Sequence, residues 1–159
     1  MPIVLHRVDE RLIHGQVVVG WGGQLRPDRY LVVDQLIAAS QWEQELYILG
    51  VPEGVEVEFV TSDEARNRLD EWRASELRSV LLTRDLATIL DLARGGTLRD
   101  QEVNLGGLHL KKGREEVLPY LFLDPTDRET LQDLAEEGVL ISAQDLPGSP
   151  KISLEDLLS

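Results

Sequence analysis

Near its amino terminus the chain reads Ile3-Val4-Leu5-His6-Arg7-Val8-Asp9-Glu10-Arg11-Leu12-Ile13-His14-Gly15-Gln16-Val17. Residues 3–8 of this stretch are apolar almost throughout, which is typical of a β-strand covered on both faces. A polar loop follows, and residues 15–25 then carry apolar side chains near helical spacing, which predicts a helix. A buried strand that leads through a polar loop into a helix is the repeating unit of α/β proteins.

The same alternation continues along the rest of the chain. Short β-branched runs predict strands at 30–33, 55–60, 79–82, 102–105, 117–122 and 139–143. Helical patterns lie between them at 36–49, 61–72, 85–93, 125–138 and 153–158. Thr61 and Glu64 have the spacing of a capping box at the start of one of these helices. We therefore expect one domain, residues 1–159, with a three-layer α/β/α fold and a mostly parallel sheet of about six to seven strands.

Composition narrows the classes of function. The chain has 159 residues, and 42% of them are hydrophobic, which suits one compact domain. It contains no run of about 18 consecutive apolar residues, so no membrane span is predicted. Its net charge of −13 argues against a nucleic-acid partner. The absence of cysteine excludes thiol catalysis and disulfides, and it fits a cytoplasmic protein.

No cofactor and no metal are expected from the sequence. Neither a phosphate-binding loop ending in Gly-Lys-Ser/Thr nor a dinucleotide-binding Gly-x-Gly-x-x-Gly follows any predicted strand. The three histidines, His6, His14 and His109, lack close metal-ligand spacing, and His6 lies on a strand that we expect to be buried. His109 follows Gly106 and Gly107, so it either borders the functional site or is an ordinary loop residue.

The carboxyl ends of parallel strands are where ligand sites form in such sheets. We therefore expect the ligand site among residues 9–14, the loop after Leu82, and residues 106–109. His14 precedes a predicted helix, where free backbone N–H groups and the helix dipole favour a bound anion. A neutral imidazole is a nucleophile near neutral pH, and Arg11 can offer paired donors to phosphate oxygens. The alternative is a histidine that merely caps a helix beside an ordinary surface ion pair.

Residues 7–17, Arg-Val-Asp-Glu-Arg-Leu-Ile-His-Gly-Gln-Val, closely resemble the active-site segment of the enzyme IIB proteins of mannose/fructose/sorbose-family sugar phosphotransferase systems. Residues 103–109 are similar to the family's Asn-x-Gly-Gly segment, and residues 113–123 and 127–138 are similar to its carboxyl-terminal half. The resemblance covers essentially the whole chain. Three places depart from the family pattern: Glu10, where Asp is usual, and the turns at 33–35 and 83–85.

The resemblance implies a phosphocarrier. His14 would take a phosphoryl group on Nδ1, with Arg11 assisting transfer and Asp9 matching the family's loop aspartate. Gly15, Gln16, Gly106 and Gly107 are the expected phosphoryl-binding residues. The resemblance also implies a sheet in which the first strand lies between the fourth and fifth.

The implied partners are a mannose-type IIA donor, the IIC and IID membrane permease subunits, and a sugar; a homodimer is left open. The protein would work in the cytoplasm, at the inner face of the membrane when bound to the permease. Two alternatives remain: a regulatory phosphohistidine switch in an incomplete phosphotransferase system without sugar transfer, and a binding module in which His14 is inert.

Charge suggests how a partner would dock. The first 30 residues are the least acidic part of the chain, so we expect an electrostatic docking face built from cationic residues: Arg7, Arg11, Arg26, Arg29, Lys111, Lys112 and Arg114. The alternative is an apolar docking surface around Leu12 or Trp21.

Overall fold

The computed structural model describes residues 2–159. Its strands are β1 (Ile3–Val8), β2 (Arg29–Val33), β3 (Glu56–Val60), β4 (Ser79–Thr83), β5 (Glu102–Leu105), β6 (Glu115–Leu118), β7 (Leu121–Leu123), β8 (Leu140–Ala143) and β9 (Ile152–Ser153). Its helices are α1 (π-helical Gln16–Trp21 followed by α-helical Gly22–Leu25), α2 (Gln35–Ala38), α3 (Gln41–Ile48), α4 (Ser62–Ala74), α5 (Leu86–Ala93), α6 (Pro125–Glu136) and α7 (Leu154–Leu158). No helix among residues 2–159 is long and apolar enough to cross a membrane.

The central sheet has seven strands in the order β3-β2-β4-β1-β5-β8-β9. Its pairs are parallel except for β9, which runs antiparallel to β8. β1 lies between β4 and β5, as the resemblance implied. Helices cover both faces: α4, α5, α6 and α7 pack on one apolar cluster and parts of α1, α2 and α3 on the other. The expected three-layer α/β/α fold is confirmed.

Local signals located most elements well, and the capping box at Thr61 and Glu64 is present at the start of α4. Two predictions were wrong. The helix expected over 36–49 is split into α2 and α3 because Ser40 has extended backbone angles. The strand expected over 117–122 is instead the antiparallel hairpin of β6 and β7, which lies outside the central sheet.

Three loops meet at the carboxyl edge of the central strands. The N–H of Asp9 donates to the carbonyl oxygen of Thr83 at 2.9 Å, which ties the β1 loop to the β4 loop. The N–H of Glu10 donates to the carbonyl oxygen of Gly107 at 2.8 Å, which ties it to the β5 loop. The loops that the sequence singled out therefore form one continuous surface.

Candidate functional site

Asp9 lies at the centre of this surface and is fully buried. Its carboxylate accepts hydrogen bonds from Arg11 Nε and Nη2, each at 3.1 Å, and from Arg7 Nη2 at 3.3 Å. Burial alone would raise the pKa of Asp9, but the bonds from Arg11 and from the Gly107 N–H, with the charge of Arg7, outweigh it and lower that pKa. Asp9 is therefore a carboxylate whose ionised form the fold stabilises.

Arg7 forms the floor beneath Asp9. Its guanidinium is buried and donates to Asn104 Oδ1, to the carbonyl oxygen of Gln144 at 2.8 Å and to that of Asp145 at 3.0 Å. It also lies 5.2 Å from the centroid of the Trp21 ring. Burial lowers the pKa of Arg7, and Asp9 opposes that shift. One side chain thus ties β1 to β5 and to the chain after β8.

This floor was not predicted from the sequence. Asn104 falls within the family's Asn-x-Gly-Gly segment, and no local pattern pointed to Gln144 or Asp145. A charged residue in the middle of a strand expected to be buried was the available signal, because a buried arginine requires acceptors from its neighbours.

Gly106 and Gly107 let the β5 loop approach Asp9. A Cβ atom on Gly106 would lie 2.5 Å from Asp9 Oδ2 and would overlap the Arg7 guanidinium. A Cβ atom on Gly107 would lie 3.1 Å from Arg11 Nη2 and 3.3 Å from Asp9 Oδ1. Gly15 differs, since a Cβ atom there would meet nothing within 4 Å. Close packing explains the first pair, whereas no contact within the protein requires glycine at 15.

Arg11 occupies the open side of the site. Its side chain is 34% exposed, and its Nη2 also donates to Gln16 Oε1 at 2.8 Å. Asp9 on one side and Gln16 on the other therefore fix the plane of the guanidinium. One part of this group remains open to solvent, where an incoming anion can meet it.

His14 stands just before α1, and its side chain is 17% exposed. The imidazole Nδ1 lies 2.9 Å from the carbonyl oxygen of Leu12. Nε2 is buried without a hydrogen-bond partner, 3.8 Å from Asp9 Oδ2. Leu12 has a left-handed φ of 54°, which is costly for a leucine and presents its carbonyl to the ring. In this conformation neither ring nitrogen is both unpaired and exposed.

A second ionic cluster borders the site. Glu10 accepts from Arg114 Nη1 at 2.7 Å and lies 3.1 Å from His109 Nδ1. Burial would lower the pKa of Arg114, but Glu10 and Asp127 together raise it. A shallow cavity of about 340 Å³ is lined by Glu10, His109 and Arg114 together with Arg84, Asp85 and Lys111. His109 therefore lies next to the loop that carries His14.

The docking face expected from charge is partly wrong. Arg7 and Arg29 are buried, and Arg29 instead donates to Ser79 Oγ within the fold. Arg26 is exposed but precedes β2 at the opposite edge of the sheet. The apolar alternative was also misplaced, because Leu12 and Trp21 are both buried.

A family model described as the phosphotransferase system sorbose subfamily IIB component matches residues 3–159. The chain belongs to this family. It is 33% identical over 160 residues, 99% of this chain and 100% of the relative, to the N-acetylgalactosamine-specific phosphotransferase enzyme IIB component 2 of Escherichia coli strain K12. It is 28% identical to the mannose-specific EIIAB component of that strain, covering 100% of this chain and 49% of the relative.

Solved structures of IIB proteins share the fold. The N-acetylgalactosamine-specific IIB component 1 from Escherichia coli has a TM-score of 0.85 at 29% identity, covering 95% of this chain and 98% of that one. The IIB domain of the sorbose permease from Klebsiella pneumoniae has a TM-score of 0.87 at 23% identity, covering 99% and 96%, and shows likeness of fold alone. The family predicted from residues 7–17 is confirmed, and the protein is a IIB component of a sugar phosphotransferase system.

Proposed function

We propose that His14 carries the phosphoryl group of this IIB component. A mannose-type IIA protein donates it, and the sugar receives it at the IIC and IID permease subunits, with the IIB component in the cytoplasm at the inner face of the membrane. The observation that carries the proposal is the arrangement of Asp9, Arg11 and Gln16, which holds a partly open guanidinium beside the His14 loop. The mannose-specific relative, named EIIAB, supports a IIA partner.

The transfer itself requires little covalent chemistry from the protein. A lone pair on one His14 nitrogen forms a bond to phosphorus while the phosphorus–nitrogen bond of the donor phosphohistidine breaks. The donor nitrogen keeps the released electron pair, so nothing is oxidised or reduced. Positioning and charge stabilisation then determine the rate, and Arg11 supplies both at the open side of the site.

The environment of the imidazole favours Nδ1 as the accepting atom. Nε2 is buried against Asp9, so a donor protein cannot reach it directly. In the conformation described, Nδ1 lies 2.9 Å from the Leu12 carbonyl oxygen, and that contact requires the proton on Nδ1. An attack by Nδ1 needs the other tautomer, so the ring leaves the Leu12 carbonyl, Nδ1 gives its proton to water, and Nε2 takes one up from water. The Asp9 carboxylate, 3.8 Å from Nε2, favours an N–H group at that position.

Phosphoryl transfer to the purified protein tests the proposal. Incubation with a phosphorylated mannose-type IIA protein should give one acid-labile phosphate, which mass spectrometry under alkaline conditions places on His14. ¹⁵N spectra of the phosphorylated protein should assign it to Nδ1. His14→Ala should abolish labelling, whereas His6→Leu and His109→Gln should retain it. A label that persists in His14→Ala would overturn the assignment.

A second stage separates sugar transport from a purely regulatory switch. The phosphorylated protein is mixed with membrane vesicles that contain the IIC and IID subunits and with candidate sugars. Release of sugar phosphate supports transport. A phosphoprotein that remains loaded with every sugar would favour the regulatory alternative.

A further inference from the structure

Helix α3 presents most of its apolar side chains to solvent, although Tyr47 packs against the sheet. Its residues Gln41–Ile48 include no buried side chain. Trp42 is 65% exposed, Leu46 is 55% exposed, and Leu49, which follows the helix, is 82% exposed. Their spacing of four and three residues puts them on one side of the helix, and we call these three residues the α3 face. A surface helix normally turns such a stripe toward the core, so this arrangement is characteristic of an interaction surface.

The α3 face lies beside the phosphoryl-transfer site. α2 and α3 follow β2 at the carboxyl edge of the sheet, as the His14 loop follows β1. Ile13, the neighbour of His14, lines a groove of about 320 Å³ together with Trp42, Leu46 and Tyr47. The groove therefore runs from the α3 face to the residue next to His14.

We propose that the α3 face and this groove are where the IIA donor docks during phosphoryl transfer. The proposal rests on the proposed function of His14. When a phosphoryl group passes between two histidines, both imidazoles belong to folded proteins, so the two surfaces must touch around them. A standard interface covers about 800 Å² on each partner, which corresponds to a disc of roughly 16 Å radius. A donor of that size centred on His14 covers the adjoining groove.

Continuity with His14 argues against a second copy of the chain, which would block the approach to His14 if it were held on this face. The permease that presents the sugar must also approach His14, so it is the competing occupant, and the vesicle assay below distinguishes it from IIA. We favour IIA because transfer between two histidines brings two folded proteins into contact around both imidazoles, and because the mannose-specific relative is named EIIAB, which supports a direct IIA partner.

Arg84 connects the α3 face with the cationic side of the site. Its Nη2 lies 3.4 Å from the Tyr47 hydroxyl of α3, and the same side chain lines the cavity shared with Glu10 and Lys111. The donor surface that fits is therefore an apolar ridge with an acidic group at the side facing Arg84. Apolar contact accounts for most of such an interface, so docking should depend only weakly on salt.

The experiment measures transfer from phosphorylated IIA as a function of IIA concentration. Trp42→Ala should raise the half-saturating IIA concentration by about 10-fold or more, because a tryptophan that becomes buried in an interface is often an energetic hot spot. Leu46→Ala should raise it by a smaller factor, about threefold, because leucine is seldom a hot spot. The rate at saturating IIA should stay within about threefold, since His14 and Arg11 are unchanged. Trp42→Phe should restore most of the affinity. Leu140→Ala is the matched control, since Leu140 is 54% exposed at the amino end of β8.

The outcomes separate this inference from the proposed function. Absence of phosphate on His14 in the unaltered protein would refute the function. Normal labelling with the same half-saturating concentration in Trp42→Ala would refute only the docking site. A dimer that sedimentation detects in the unaltered protein and not in Trp42→Ala would assign the face to a second copy. Loss confined to sugar phosphorylation by vesicles with IIC and IID would assign it to the permease.

Discussion

Asp9 separates two sides of the site that use arginine differently. On the buried side, Arg7 donates to Asn104 and to two backbone carbonyls and has no contact with solvent. On the open side, Arg11 shares the same carboxylate but remains one-third exposed, at 34%. Both arginines bind one acid, yet only the second can meet a ligand. Burial, more than residue type, decides that Arg7 holds Asp9 in place and that Arg11 is available to the phosphoryl group.

Removing the buried arginine should produce the largest change in stability. Arg7→Met keeps much of the volume but removes the donor to Asn104 Oδ1 and to the carbonyl oxygen of Gln144. It also removes the buried cation beside Asp9, which keeps only its hydrogen bonds from the Arg11 side and the Gly107 N–H. Breaking a buried pair in this way costs about 3–5 kcal/mol of unfolding free energy. Urea denaturation measures the loss, and Arg11→Met, the matched variant, should cost about 1 kcal/mol or less. Equal losses in the two variants would show that the two sides do not differ.

Local sequence patterns predicted the helices and strands better than they predicted the contacts and burial of the charged side chains. The capping box at Thr61 and Glu64 is a contact between residues three apart, so the pattern alone located the start of α4. The partners of Arg7 lie up to 138 residues away. No local pattern shows that distance, and Arg7 and Arg29 were assigned to a docking surface although both are buried.

In the candidate site, too, residues close in sequence were predicted and contacts between distant residues were not. Residues 9–14 form one short loop, and their pattern pointed directly to Asp9, Arg11 and His14. The cluster of Glu10, His109 and Arg114 joins residues that are far apart in sequence. Their meeting depends on β1 lying beside β5 and on the hairpin of β6 and β7, which the sequence had suggested was a single strand.

His6 is a second buried titratable side chain on β1, and unlike Arg7 it has no acidic partner in the described part of the chain. It is buried one residue before Arg7, and burial with the nearby charge of Arg73 lowers its pKa from 6.5 to about 4. Between these values the unfolded chain binds a proton that the folded protein does not. Stability is therefore fully present above pH 6.5 and is lost as the pH falls toward 4, by about 3 kcal/mol at most.

His6→Leu should remove that part of the pH dependence. The comparison is the slope of unfolding free energy against pH between 6.5 and 4, measured by urea denaturation, and not the absolute stability of the variant. The carboxylates contribute equally to both proteins, so the difference in slope isolates His6. Parallel curves would mean that His6 is accessible to protons in the folded state.

On the open side, Arg11→Ala should slow transfer more than it destabilises the fold. Loss of one preorganised donor to a developing anion typically lowers a rate by about 10²-fold. Asp9 keeps Arg7 and the backbone N–H groups of Arg11 and Gly107, so unfolding free energy should change by about 1 kcal/mol or less. Rapid-quench measurements at saturating IIA give the rate. Arg11→Lys should recover part of it, because a lysine keeps the charge without the paired donors.

Backbone strain offers the same contrast between a site residue and a surface residue. Leu12 and Arg26 both have left-handed backbone angles, with φ of 54° and 49°. Leu12 is buried and its carbonyl contacts His14. Arg26 is exposed at the end of α1, where its N–H donates to the carbonyl oxygen of Gly22 at 2.8 Å. The left-handed backbone at Leu12 places a carbonyl group against His14 in the site. The left-handed backbone at Arg26 only ends helix α1.

The smallest expected effect is therefore a gain in stability from Arg26→Gly. Glycine adopts the left-handed angles without steric cost and is the preferred residue just after a helix. The greater entropy of glycine in the unfolded chain offsets part of that benefit, so unfolding free energy should rise by about 0.5 kcal/mol. Transfer from IIA should keep its rate and its half-saturating concentration, because Arg26 lies at the opposite edge of the sheet from His14. Slower transfer in Arg26→Gly would restore Arg26 to the docking face that the charge pattern first suggested.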